Sequence, residues 1–218
     1  MDNKNNVNNA NKGVRDRLLD AAEVLFCGKG FEGTSVRDIA ASADCNIASV
    51  NYYFGGKENL YFEMFRRHMS ELIDKQIENI RMVMKSDHPT LEQLLRTTVV
   101  TALKSSNSDG DERPLLKMMV REILDPHLKT EIVVDEMISK FLTEWHNSLI
   151  KLCPGLKSET GLLCVYSLDG LILHALLFSE YYHGHMPSLK IDELIEHIVR
   201  FSVAGIMSYI EEGKTTED

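Results

Sequence analysis

The chain has 218 residues and a mass of 24.8 kDa, of which 44% are hydrophobic and 26% charged. That is enough apolar chain to bury a core without disulfides or metals and too much for global disorder, while five prolines and 13 glycines are few for an all-β protein. The net charge of −9 argues against nucleic acid as a partner of the chain taken as a whole.

The charge is unevenly spread, however. Residues 1–68 carry nine basic and nine acidic side chains, and residues 69–218 carry 15 against 24. A near-neutral N-terminal segment on an acidic body leaves room for a local basic face.

Residues 1–12 hold six asparagines and two lysines, Lys4 and Lys12, with no apolar pattern. They read as a disordered tail and not as a secretion leader. From Val14 the period becomes helical, with Leu18, Ala22, Leu25 and Phe26 on one stripe. Gly28 and Gly30 read as its stop, and Gly33, Thr34 and Ser35 as a loop and N-cap. Val36, Ile39, Ala40 and Ala43 give a second, short stripe. After a break at Asp44, Cys45 and Asn46, residues Ile47 to Phe54 form a third short helix with Val50 and Phe54 facing inward. Gly55 and Gly56 end it. Lys57 opens a long helix to about Lys85. Further helices are expected at Leu91–Lys104, Leu115–Leu124, Pro126–Leu152, Ser158–Tyr182 and Ile191–Glu211. No alternating strand pattern or internal repeat is present, so the expected fold is all-α with about nine helices. The expected division is a tail at 1–12, a three-helix domain at 13–60 and a larger helical domain at 61–218.

Cys27, Cys45, Cys153 and Cys164 show no C-x-x-C spacing and read as reduced thiols of a cytoplasmic protein. Thr160 to Ser179 is 20 residues long with one charge, Asp169, in its middle. A bilayer would penalise that charge by about 2.5–3.5 kcal/mol, so a buried helix is the better reading than a membrane span.

Two short helices joined by a tight break and preceded by a longer helix form a helix-turn-helix. Its second helix must be short and exposed at its start to enter a major groove about 12 Å wide. Ala40, Ala43, Cys45 and Val50 are small enough to let the two helices approach. Helix Ile47 to Phe54 then exposes Ala48, Ser49, Asn51 and Tyr52. Ser49 and Asn51 suit base edges, and Ala48 suits a thymine methyl. Tyr52, Tyr53 and Lys57 suit phosphates, and Thr34, Ser35 and Arg37 open the preceding helix on the other side.

The run TSVRDIAASADCNIASVNYYFGGKENLY, from Thr34 to Tyr61, resembles the DNA-binding region of TetR-type transcriptional regulators. The likeness spans about Arg15 to Tyr61. Its N-I-A-x-x-x-Y-Y-F-G-x-K-E-x-L-Y form is similar to a subset that includes regulators of efflux transporter genes. Two positions depart: Asp44 stands where the family usually has Gly, and Asn46 where it usually has a Ser or Thr cap. Asp and Asn both tolerate such backbone, so the turn is expected to survive. Beyond residue 68, Arg121 to Pro126 and Pro154 to Leu156 also look like that subset. The resemblance implies a homodimer on a palindromic operator in double-stranded DNA, a four-helix bundle made by the last two helices of each copy, and a small-molecule inducer pocket in each body. Ligand would then move the helix opened by Lys57 and release the operator. The expected function is a sequence-specific, ligand-responsive regulator, a repressor, with no cofactor and no membrane partner.

Ser158–Tyr182 is apolar nearly all round and needs cover on two sides. Leu168, Leu171, Ile172, Ala175 and Leu176, with Ile198, Phe201 and Gly205 of the last helix, are the expected dimer residues. Met118, Met119, Phe141 and Trp145 stand at helical spacing, which is more often core than pocket, although soft methionines and aromatics also suit the wall of an apolar-ligand cavity. Tyr166, Asp169 and His174 either line that pocket or form a satisfied polar group in the core. His183 and His185 sit on a polar connector without a cysteine pair, so no metal site is expected. Two other readings compete: an all-α enzyme using Asp169, His174 and Glu180 for acid–base work, and a dimeric scaffold whose helix-turn-helix binds protein. No nucleophile motif or phosphate loop supports the enzyme.

Overall fold

The structure, a computed structural model, describes residues 13–105, 138–178 and 184–215. The tail at 1–12, the expected helix Leu115–Leu124, the start of the one expected from Pro126, and Met118, Met119, Glu180 and His183 lie outside the described residues. Among the described residues there are eight helices and no strand: α1 (Val14–Lys29), α2 (Val36–Ser42), α3 (Ala48–Phe54), α4 (Lys57–Met84), α5 (Leu91–Ser105), α6 (Ser139–Leu152), α7 (Ser158–Leu177) and α8 (Ile191–Thr215). The chain divides into two compact units between Glu71 and Leu72, inside α4.

In the first unit α1, α2 and α3 pack on one another. Leu18, Ala22, Phe26, Ile39 and Val50 are fully buried, and Leu60 and Tyr61 of α4 are buried too. Burying this apolar set supplies the drive for such short helices, which are marginal alone. Helix α1 runs through Gly28, expected as a stop, and ends only at Gly30. There φ reaches 77°, a value open to glycine, and the Gly30 N–H donates to the Phe26 carbonyl. In the loop that follows, a Cβ on Gly33 would stand 2.5 Å from the Lys29 carbonyl oxygen, so only glycine fits.

In the second unit α5 packs against α8, and α7 packs against α5, α6 and α8. Its core gathers Ile80, Leu94, Leu95, Val99, Trp145, Leu149, Val165, Leu168, Ile198 and Val199. A capping box opens α5: Thr90 Oγ1 accepts from the Gln93 N–H at 3.2 Å, and Gln93 Oε1 accepts from the Thr90 N–H at 3.1 Å. Arg96 bridges α5 to α8 by donating to Glu196 at 2.7 Å, and Arg81 donates to both oxygens of Glu144 at 3.0 and 2.9 Å.

Among the described residues one helix, α7, is long and apolar enough to cross a membrane by length and composition. One face of it, with Gly161, Val165, Leu168, Ile172 and Ala175, is buried in its own unit, and Asp169 lies beside that face. Four residues set aside above for a dimer therefore have other work. Leu168, Ile172, Ala175 and Ile198 are core residues of a single chain, each 8% exposed or less. Leu171 and Leu176 are half-buried, whereas Phe201 at 61% and Gly205 face outward.

Candidate nucleic-acid interface

Helix α2 begins with a complete capping box. Ser35 Oγ accepts from the Asp38 N–H at 3.1 Å, and the Asp38 carboxylate accepts from the Ser35 N–H and hydroxyl at 3.3 and 2.8 Å. These bonds hold the exposed Asp38 carboxyl below the usual aspartate range. The helix ends at Ala43, and the chain turns at Asp44 with φ 51°, the left-handed conformation glycine would otherwise supply. Asn46 Oδ1 then accepts from the Ala48 N–H at 2.9 Å and opens the next helix. Thus Asp44 and Asn46, the two departures from the familiar pattern, keep the turn.

Arg17 of α1 secures the turn from below. Its Nε donates to the Ala43 carbonyl at 3.2 Å, and its Nη2 lies 3.5 Å from Cys45 Sγ. Sequence reasoning missed this residue, because its partners lie 26 and 28 positions away and no local spacing announces them.

Helix α3 buries Val50 and Phe54 and presents the rest. Ile47, Ala48, Asn51, Tyr52 and Tyr53 are exposed, Tyr52 most of all at 82%, and Ser49 is half-buried. The rings of Tyr52 and Tyr53 meet edge to face at 4.9 Å. Gly55, at φ 76°, ends the helix by donating to the Asn51 carbonyl. Lys57 then opens α4 with its ammonium 4.1 Å above the Phe31 ring. On the far side Ser35 and Arg37 are exposed. Thr34 is 2% exposed, and its Oγ1 lies 2.8 Å from the Gly30 carbonyl and 3.1 Å from that of Leu25. Its hydroxyl closes the loop, so its side chain offers nothing to a phosphate.

An ion-pair network joins α1 to the first half of α4. Arg15 and Arg66 share Glu63 at 2.9 Å, Arg67 reaches Asp20 and Glu23 at 3.1 and 3.0 Å, and His68 lies 2.8 Å from Glu23. The bond with His68 foremost, then the charges of His68 and Arg67, hold the Glu23 carboxyl below its ordinary range.

In the second unit the described candidate pocket residues differ in exposure. Trp145 is fully buried and donates from Nε1 to Thr98 Oγ1 at 2.8 Å, and Thr98 donates onward to the Leu94 carbonyl at 3.0 Å. Phe141 is half-buried against the same core. Tyr166 and His174 are exposed, with His174 stacked on Phe178 at 4.6 Å. Asp169 is half-buried, and burial pushes its carboxyl up to about 6. An open groove of about 1180 Å³ runs elsewhere, lined by Glu92 of α5 and by Glu196, Val199, Phe201, Val203 and Met207 of α8. Among the described residues no group of three or more His, Cys, Asp or Glu is placed to hold a metal ion.

Residues 18–64 match the family model described as bacterial regulatory proteins, tetR family. The HTH-type transcriptional dual regulator CecR of Shigella flexneri is 30% identical over 172 residues, 74% of this chain and 70% of that protein. The probable HTH-type transcriptional regulator YttP of Bacillus subtilis is 36% identical over 125 residues, 55% of this chain and 56% of that protein, so this match spans about half the length of the relative. Two solved structures share the fold. A TetR-family regulator from Mesorhizobium loti superimposes with a TM-score of 0.65 at 20% identity, over 89% of this chain and 95% of that one. One from Shewanella gives 0.64 at 20% identity, over 88% and 96%. With its turn, its projecting third helix and this extended similarity, the chain belongs to the TetR family of bacterial regulatory proteins.

Proposed function

We propose that the chain is a sequence-specific DNA-binding transcriptional regulator, a homodimeric repressor released from its operator by a small molecule. The observation that carries the reading is the outward face of α3. A helix of seven residues keeps Val50 and Phe54 inside and leaves Ala48, Asn51, Tyr52 and Tyr53 in solvent, on a turn fastened by Arg17, Asp44 and Asn46. Nothing in the stability of the unit requires an 82%-exposed tyrosine at that place.

In this reading residues 13–60 form the DNA-binding domain and 61–218 the regulatory body, and the protein works in the cytoplasm, where its operator lies. Ile47, Ala48, Ser49 and Asn51 meet base edges in the major groove. Ser35, Arg37, Tyr52, Tyr53 and Lys57 meet phosphates on either side. Two copies related by a two-fold axis present two such helices about 34–36 Å apart, one turn of duplex. The outward residues of α7 and α8, Phe201 and Gly205 among them, form the contact between copies. Phe141 and Asp169 belong to the ligand site. A ligand that fits one spacing of the two recognition helices shifts the population away from the other. The likeness to named transcriptional regulators supports the reading.

The test is equilibrium binding to a duplex selected from a random pool. Tyr52→Ala and Lys57→Ala are each expected to weaken binding by about tenfold, with helicity unchanged, and Lys57→Ala to lower the salt slope by about 1. Wild-type affinity in both variants contradicts the site.

A further inference from the structure

We propose that Phe31 is a positioning residue for DNA binding: its ring holds the Lys57 ammonium in the pose from which it meets a phosphate. The proposal rests on the DNA-binding reading above and adds a residue that touches no DNA itself.

A lysine is a strongly hydrated point charge on a flexible stem, and it loses much rotamer freedom when it docks. Lys57 is the first residue of α4, and its Nζ stands 4.1 Å from the centroid of the Phe31 ring. A ring face attracts a cation at this range through its quadrupole. The ring is itself anchored. It stacks on Phe26 at 5.9 Å and 14°, and meets Tyr61 edge to face at 5.1 Å and 65°. Phe26 and Tyr61 meet each other at 4.9 Å, and both are buried. This three-ring cluster joins the loop after α1 to the first turns of α4. A cation resting on one ring face keeps N–H donors turned away from it, open to a phosphate oxygen. Holding the stem before DNA arrives lowers the ordering cost at binding. The loop is closed by Thr34 and Gly33, and the core by Phe26 and Tyr61.

The test uses the full chain and a mixed-sequence DNA duplex, titrated at several salt concentrations, with Phe31→Leu, Phe31→Tyr, Lys57→Ala and the Phe31→Leu, Lys57→Ala double variant. Phe31→Leu is expected to weaken binding by about two- to fivefold, the range of an exposed cation–π contact. Its salt slope stays at the wild-type value, because the phosphate contact still forms. Lys57→Ala lowers the slope by about 1. In the Lys57→Ala background Phe31→Leu then costs nothing further, and with Lys57 present Phe31→Tyr, which keeps the ring, binds as the wild type. The upfield ring-current shift of the Lys57 side-chain protons in the DNA-free protein disappears in Phe31→Leu and persists in Phe31→Tyr. Equal losses from Phe31→Leu in both backgrounds, or a loss in Phe31→Tyr as large as in Phe31→Leu, overturn the proposal and leave DNA binding standing. A wild-type chain with no salt-dependent affinity for the duplex removes the DNA reading first, and this role with it.

Discussion

Asp44 holds φ at 51°, a left-handed value that costs an ordinary L-residue about 1–2 kcal/mol and glycine nothing. Asp44→Gly is therefore expected to raise stability by up to about 1 kcal/mol, and Asp44→Val to lower it, in urea unfolding followed by circular dichroism. An unchanged midpoint in both variants contradicts the strain argument. Asp169 makes the second prediction at this scale. Its carboxyl is raised from 3.8 to about 6 by burial, so the fold favours the protonated form. The contribution is fully favourable below about pH 4 and is lost as pH rises to about 6. At pH 7 the charged side chain costs about 3 kcal/mol, from the shift at 1.36 kcal/mol per pH unit. Asp169→Asn is expected to stabilise the second unit at pH 7 by a good part of that sum, and much less at pH 4. Trp145, the single tryptophan, reports the transition by fluorescence. A gain that does not change with pH rules the explanation out.

Among the elements, α2, the turn and α3 are held by contacts close in sequence: a capping box spanning Ser35 and Asp38, a left-handed residue at Asp44 and a cap at Asn46. Such signals are legible in the chain, and for that reason the fold class and the helix-turn-helix were readable from the residues. Thr34 was not. Its hydroxyl is spent on two carbonyls that reach it only when the loop closes, and no pattern of residue types carries that information. Helix α7 failed for another reason. When a helix is apolar nearly all round, the period of 3.6 is lost, and the sequence does not say which apolar side is the inner one. Leu168, Ile172 and Ala175 proved to be inside. Trp145 is in the core, as its helical spacing favoured, but the buried bond from its indole to Thr98, which marks it as a structural pin of α6 on α5, was not legible, because it spans 47 positions. Trp145→Phe leaves the Thr98 hydroxyl short of that donor and opens a void, with an expected loss of about 1–3 kcal/mol in thermal unfolding. A variant as stable as the wild type would place the tryptophan outside the core's support.

For the whole molecule, the outward side of α8 sets Phe201 and Met207 in solvent beside the small residues Ala204 and Gly205, which permit close approach of another helix. If two copies meet there, the chain sediments at twice 24.8 kDa, and Phe201→Glu returns it to a single mass with its helicity intact. A wild-type chain that sediments at 24.8 kDa over micromolar concentrations sinks the dimer. The central claim, that α3 projects to read the major groove twice per assembly, is tested most directly by selecting duplexes from a random pool with the full chain and sequencing what is retained. The account predicts an inverted repeat whose half-sites are centred about one turn of duplex apart or a multiple of it, and relaxed preference at one or two positions per half-site in Asn51→Ala. A retained pool without a repeat, or one whose preferences are untouched by Asn51→Ala, contradicts it.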